Sequence, residues 1–197
     1  YLIRITDKLS GDAEVNLSRL KKCTQVEIVN IEDAKALPDI PEGQLIVDAL
    51  FGSGLNRPLE GLPAAVVKHL NGQAAIKISI DIPSGLFGQD NGKNDTEAIF
   101  RADHTLTFQF PKLSVFFPEH EDMVGNWHVL DIGLMQEKID QLVSPYCMIT
   151  RDQVRTYLMP RKRFAHKGHF GHVLLITGSY GKMGAAVLSS RAALRTG

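Results

Sequence analysis

The sequence predicts an α/β fold around a mostly parallel sheet, and three observations carry that prediction. Two short apolar runs that do not alternate, Gln44–Leu50 (QLIVDAL) and Ala74–Ile80, have the pattern of strands buried on both faces. Each run ends in a small polar loop, Gly52-Ser53-Gly54 after the first and Asp81-Ile82-Pro83-Ser84-Gly85 after the second. Helical stretches separate the runs, the rhythm of a chain built from βαβ units.

In chain order, Tyr1–Ile5 reads as a strand already under way, and Ser10 as the N-cap of a helix reaching about Lys22. Val26–Val29 is a short strand candidate, and Ile31–Leu37 a short helix ended by Pro38. After the first buried run, a helix is expected over about Pro63–Leu70, with proline in the tolerated first turn. Gln89–Asp95 is a polar surface loop, and His104–Phe108 and Trp127–Ile132 are two further strands. From Ser144 the organisation restarts: a helix over Thr150–Leu158 capped by Thr150, a basic turn Pro160–Arg163, and a buried strand Gly171–Thr177 (GHVLLIT). A Gly-rich turn, Gly178–Gly184, and a helix over Ala185–Leu194 complete this second α/β beginning. About fifty residues are too few to close a doubly wound domain, so this unit reads as a start without its remainder.

Of 197 residues, 44% are hydrophobic and 22% charged, with 22 basic and 22 acidic side chains. That balance gives neither the basic stripe of a nucleic-acid binder nor an acidic tail. No apolar run approaches the ~20 residues of a membrane span. Cys23 and Cys147, far apart and outside any CxxC pattern, read as packing residues of a reduced, cytoplasmic protein. No signal peptide or initiator Met opens the chain, and Arg195-Thr196-Gly197 follows directly on an apolar helix pattern, so both ends read as cut.

Ligands of an open parallel sheet bind beyond the carboxyl ends of the strands. Asp48 with Gly52–Pro58 (GSGLNRP), and Asp81 with Ser84, stand at two such ends and are expected to open onto one crevice. The glycines allow close backbone approach, successive amides suit a phosphate, and Arg57 adds a cation at the rim. The same aspartates also suit plain helix or turn capping, and the glycines plain turn geometry. The Gly178–Gly184 loop of the second α/β beginning fits neither GxGxxG nor the P-loop; phosphate binding and turn geometry both remain open there. His166, His169 and His172 have metal-ligand types at a spacing that suits one helix face, but Gly168 and Gly171 interrupt the run and His172 begins the buried strand, which weighs against a metal site.

Taken together, VDALFGSGLNRPLEG (Val47–Gly61), ISIDIPSGL (Ile78–Leu86), ADHTLTFQFPK (Ala102–Lys112) and GNWHVLDIGL (Gly125–Leu134) resemble the YjeF N-terminal family. The segment from His166 onward, HKG followed by GHVLLITGSYGKMGAAVLSSRAALRTG, resembles the start of the YjeF C-terminal family. The first resemblance implies a Rossmann-like three-layer sandwich lacking its first strand and loop, and the second the beginning of a ribokinase-like α/β domain. The implied layout is an epimerase domain over 1–140, a linker and helix over 141–165, and the start of a dehydratase domain over 166–197.

The resemblance implies the substrates, NADHX and NADPHX, whose two epimers the first domain interconverts. It implies ADP- or ATP- and Mg2+-dependent dehydration of the S epimer by the complete second domain. It puts a potassium ion on Asp48 and Ser84, and substrate on Gly52, Ser53, Gly54, Leu55, Asn56, Arg57, Pro58 and Asp81, with a further contact at Ala185. Asp81 is the implied acid–base residue, with a pKa expected to be raised in a partly dry crevice. Lys112, at another motif position, is either an electrostatic helper or a packing residue. The family's Asn-Asn-Gly-Gly-Asp-Gly loop would precede Tyr1, so these residues alone are expected to be inactive. A protein- or nucleotide-binding module of the same fold is the competing reading. The sequence leaves self-association as a homo-oligomer open and gives no sign of nucleic-acid or membrane partners.

Overall fold

The computed structural model describes residues 1–6, 9–23, 25–38, 40–158 and 160–196; Gly197, the last residue of the second motif, lies outside them. The chain divides into two compact units, Tyr1–Leu142 and Val143–Gly197.

The first unit is a Rossmann-like α/β arrangement with two parallel sheets. Strands β1 (Leu2–Arg4) and β2 (Ile28–Asn30) pair with each other, and β3 (Leu45–Asp48), β4 (Ile76–Ile80), β5 (His104–Phe108) and β6 (Asn126–Leu130) form the larger sheet in that order. Register runs Asp48 to Ser79, Ser79 to Thr105 and Thr105 to Trp127, so these residues share one face. Helix α1 (Gly11–Leu20) starts where Ser10 Oγ accepts the Ala13 N–H at 3.4 Å. Helix α2 (Gly61–Asn71) buries Val66 and Val67. Val67 packs with Ile46 of β3, Phe100 and Ala102, while Val66 packs with Ile31, Leu37, the β1–β2 side chains Ile3 and Val29, and Ile5 just after β1. Thus α2 ties both sheets together through opposite parts of its apolar face.

Two glycines fix the turns behind the site. Gly85 has φ +98, and a Cβ there would collide with the Ala98 carbonyl and lie 3.0 Å from Ile99 Cα. Gly125, at φ +57 between the one-turn helix α3 (Glu121–Val124) and β6, would meet the carbonyls of Ala102 and Asp103.

Four expectations are corrected. The strands are packed on one face only: Leu45 and Val47 are 55% and 54% exposed, because α2 and its neighbours cover the face that carries Ile46 and Asp48. Over Ile31–Leu37 only a 3-10 turn forms, Ala34–Ala36. There Asp33 captures the Lys35 N–H at 3.0 Å, and Pro38 holds Leu37 extended. Cys23 and Cys147 are exposed free thiols rather than packing residues. The fourth correction concerns the second unit.

In that unit, helix α5 (Arg151–Tyr157) follows α4 (Gln136–Ile139) in chain order and begins with a capping box between Thr150 and Gln153. The expected strand at His172–Thr177 does not form; Ser179 and Lys182 bridge across the Gly-rich turn, and helix α6 (Gly184–Thr196) follows. A lone apolar segment has no ladder to join. Val173, Leu174 and Ile176 accordingly stand largely exposed. No helix of the described residues is long and apolar enough to cross a membrane.

Candidate active site

The site lies at the carboxyl ends of β3, β4 and β5. Asp48 closes β3 and is only 2% exposed. Its Oδ2 accepts from Ser79 Oγ and the Ser84 N–H, both at 2.8 Å, and its Oδ1 accepts from Ser84 Oγ at 2.5 Å and the Leu50 N–H at 3.3 Å. Ser84 Oγ in turn accepts the Phe51 N–H at 2.9 Å. Burial pushes the Asp48 pKa above its ordinary value, against the opposing hydrogen bonds from Ser84, Ser79 and Leu50. Every donor is neutral.

Asp81 follows β4 with φ +69, its N–H donating to the Leu106 carbonyl at 2.8 Å. Its side chain is 15% exposed. Oδ1 accepts from Lys112 Nζ and from the Phe108 N–H at 3.3 Å. Burial alone raises its pKa, but the Lys112 hydrogen bond, the Phe108 N–H, the Lys112 charge and Ser53 together bring it below the ordinary value. The expected elevation is therefore reversed: Asp81 is ionised at neutral pH.

The expectation that both aspartates open onto one crevice is also corrected. They stand on neighbouring strand ends, but Asp48 is sealed by Ser84 and only Asp81 reaches the surface. Asp81 faces the Gly52–Pro58 loop, where a Cβ on Gly52 would stand 3.7 Å from its Oδ2. Gly52, Ser53, Gly54, Asn56 and Arg57 are exposed, while Leu55 and Pro58 are half-buried. Leu55 packs on the core cluster that contains Leu59, anchoring the loop. Ala185 belongs to the second unit, exposed in the first turn of α6.

Lys112, left between two roles by the sequence, contacts Asp81 directly. The supporting residues Ser79 and Thr107 were missed; the available signal was a hydroxyl inside each short strand, alternating onto the packed face, where it needs a partner. Of the histidine run, His166 Nδ1 accepts the Gly168 N–H and His169 Nδ1 the His166 N–H, both at 3.2 Å, so these two rings cap a local turn. Among the described residues no group of three or more His, Cys, Asp or Glu side chains could hold a metal ion.

This strand-end arrangement coincides with a family match: residues 1–114 fit the model described as YjeF-related protein N-terminus. The chain belongs to the YjeF N-terminal family. A bifunctional NAD(P)H-hydrate repair enzyme of Thermofilum pendens is 38% identical over 199 residues, covering 100% of this chain and 37% of that protein. The protein of the same name in Escherichia coli K12 is 33% identical over 153 residues, covering 78% of this chain and 29% of its own length. An NAD(P)H-hydrate epimerase of Rhodopirellula baltica is 36% identical over 136 residues, 69% of this chain and 54% of that protein. The chain thus spans about a third of the bifunctional relatives and about half of the YjeF-family epimerase.

Proposed function

We propose that the first unit carries the epimerase half of NAD(P)H-hydrate repair, interconverting the R and S forms of NADHX and NADPHX. The observation that carries this reading is Asp81 at a strand end, held by the Lys112 ammonium and facing an exposed Gly-rich loop. Epimerisation requires the hydroxylated ring carbon to lose and regain its configuration. A resting carboxylate begins as a base: Asp81 accepts the proton of the ring hydroxyl as the bond from that carbon to the ring nitrogen breaks, leaving an open-chain aldehyde and passing the proton to the nitrogen. Closure on the other face of the aldehyde reverses these transfers and re-forms the centre inverted. Gly52–Pro58 receives the dinucleotide phosphates through backbone amides, with Arg57 at the rim.

Asp48 and Ser84 suit a potassium ion by the chemistry of their donors. Carboxylate and hydroxyl are hard oxygens, the Phe51 carbonyl lies 3.4 Å from Ser84 Oγ, and the buried carboxylate has only neutral donors around it. When bound, the ion neutralises that charge and adds a positive field beside the substrate phosphates. The second unit is read as the start of a ribokinase-like, ADP-dependent dehydratase domain that uses Mg2+ and ADP or ATP, with Ala185 at its substrate contact. Residues 1–140, 141–165 and 166–197 are then the epimerase domain, the linker with helix α5, and the dehydratase start of a cytoplasmic protein.

The test uses the whole protein and one purified NADHX epimer without ADP or ATP. Interconversion followed by chromatography is the expected outcome, lost in Asp81→Asn. Absence of interconversion in the wild-type protein would overturn the reading.

A further inference from the structure

We propose that Lys112 is the positioning residue for Asp81, gripping Oδ1 so that Oδ2 is presented across Gly52 to the ligand. This rests on the reading of Asp81 as the acid–base group. Besides Asp81 Oδ1, Lys112 Nζ reaches Thr107 Oγ1 at 3.2 Å and the carbonyls of Phe108 and Phe110, both at 3.3 Å. An ammonium has three protons. Four protein acceptors already compete for them, so Lys112 has no proton left for a substrate and acts through its neighbours. Its side chain is 18% exposed, and its stem runs over Gly88, whose Cβ position is 3.7 Å from Lys112 Cγ.

The grip also spans two unusual backbone positions. Asp81 at φ +69 and Gln109 at φ +57 are the non-glycine residues with positive φ among those described, a conformation that side-chain-bearing residues rarely adopt. Lys112 holds the Asp81 side chain and the carbonyls on either side of Gln109, so a single cation braces both strained strand ends. With Oδ1 taken by Lys112 and the Phe108 N–H, Oδ2 is the oxygen beside Gly52. The division of labour follows: one oxygen is for orientation and the other for chemistry.

The experiment compares Lys112→Met, Lys112→Arg and Asp81→Asn in the whole protein. One readout is the carbon-13 carboxyl titration of Asp81 without ligand, its signal assigned by loss in Asp81→Asn. The other is the pH profile of kcat/KM for NADHX epimerisation. Lys112→Met is expected to move the titration and the acidic limb of the profile upward together, and to lower kcat about 10²-fold, the scale of a misplaced reacting group. Lys112→Arg, which keeps the charge, is expected to restore the titration toward wild type.

An Asp81 titration unmoved in folded Lys112→Met overturns the proposal; Lys112→Gln serves the same purpose where the methionine variant does not fold. If the titration moves but Asp81→Asn epimerises at the wild-type rate, positioning stands and the acid–base reading of Asp81 falls.

Discussion

The ends of β3 and β4 carry the same residue type one strand apart, yet the two carboxyls are driven in opposite directions. Asp48 sits among neutral donors inside the protein, and burial outweighs them. Asp81 keeps an opening to the surface and has an ammonium on one oxygen, which together with the Phe108 N–H and Ser53 outweighs its own burial. A carboxylate beyond a parallel strand is therefore not one kind of site. Whether a full charge stands among its donors helps decide which way burial leaves the carboxyl's pKa.

The largest effect that separates the two ends is catalytic. Asp81→Asn keeps shape while removing the titrating group, so turnover should fall by ~10²–10⁴-fold with little change in substrate affinity. Near-wild-type turnover would remove the base from the β4 end. Next comes the turn that delivers Ser84 to Asp48. Gly85→Ala, with its Cβ driven against the Ala98 carbonyl at φ +98, should lower unfolding stability by about 3 kcal/mol. An unchanged Tm would mean that this turn is looser than described.

Asp48→Asn is smaller and acts on the other end. An amide turns an NH2 toward the donors of Ser84 or Ser79, at roughly 1–3 kcal/mol for the unsatisfied pair. It should also weaken dinucleotide binding, with recovery in part at high potassium. Calorimetric titration at two potassium concentrations checks this, and equal affinities at both would break the cation assignment.

Smallest is the pH dependence, which distinguishes the ends by sign. The folded pKa of Asp48 lies above its ordinary 3.8, so its stability contribution is present below that value and is lost as pH rises through the folded pKa. The folded pKa of Asp81 lies below 3.8, so its contribution is present above that value and is lost as pH falls through the folded pKa. Melting curves of wild type against each asparagine variant, over about pH 3 to 6, should give differences of opposite slope. Parallel slopes would erase the contrast.

Local features were the ones legible in the sequence. Ser10 and Thr150 cap their helices through bonds three residues long, and the β3 and β4 runs carry their own patterning. The positions of Asp48, Asp81 and the Gly52 loop followed from where those runs stop. Lys112 beside Asp81 did not follow from spacing, because their contact depends on β4–β5 register and on the turn through Gln109. Burial was misjudged for a related reason: an apolar run records what a strand suits, whereas Leu45 and Val47 record what actually lies over it. Val173–Ile176 has strand composition and no ladder, since pairing belongs to two segments and a sequence window shows one.

The order of the larger sheet matches the order of the chain, with Leu45 paired to Ile76, Ile78 to His104, and His104 to Asn126. Pairing along this sheet therefore asks, at each step, only for strands already synthesised. Asp48 and its serines lie on β3, β4 and the turn after it, whereas the turn that brings Lys112 to Asp81 is held by β6, the Gln109 N–H donating to the Leu130 carbonyl at 2.7 Å. Trimming back from the β6 side would erode the border of the sheet while sparing the strands that carry both carboxylates.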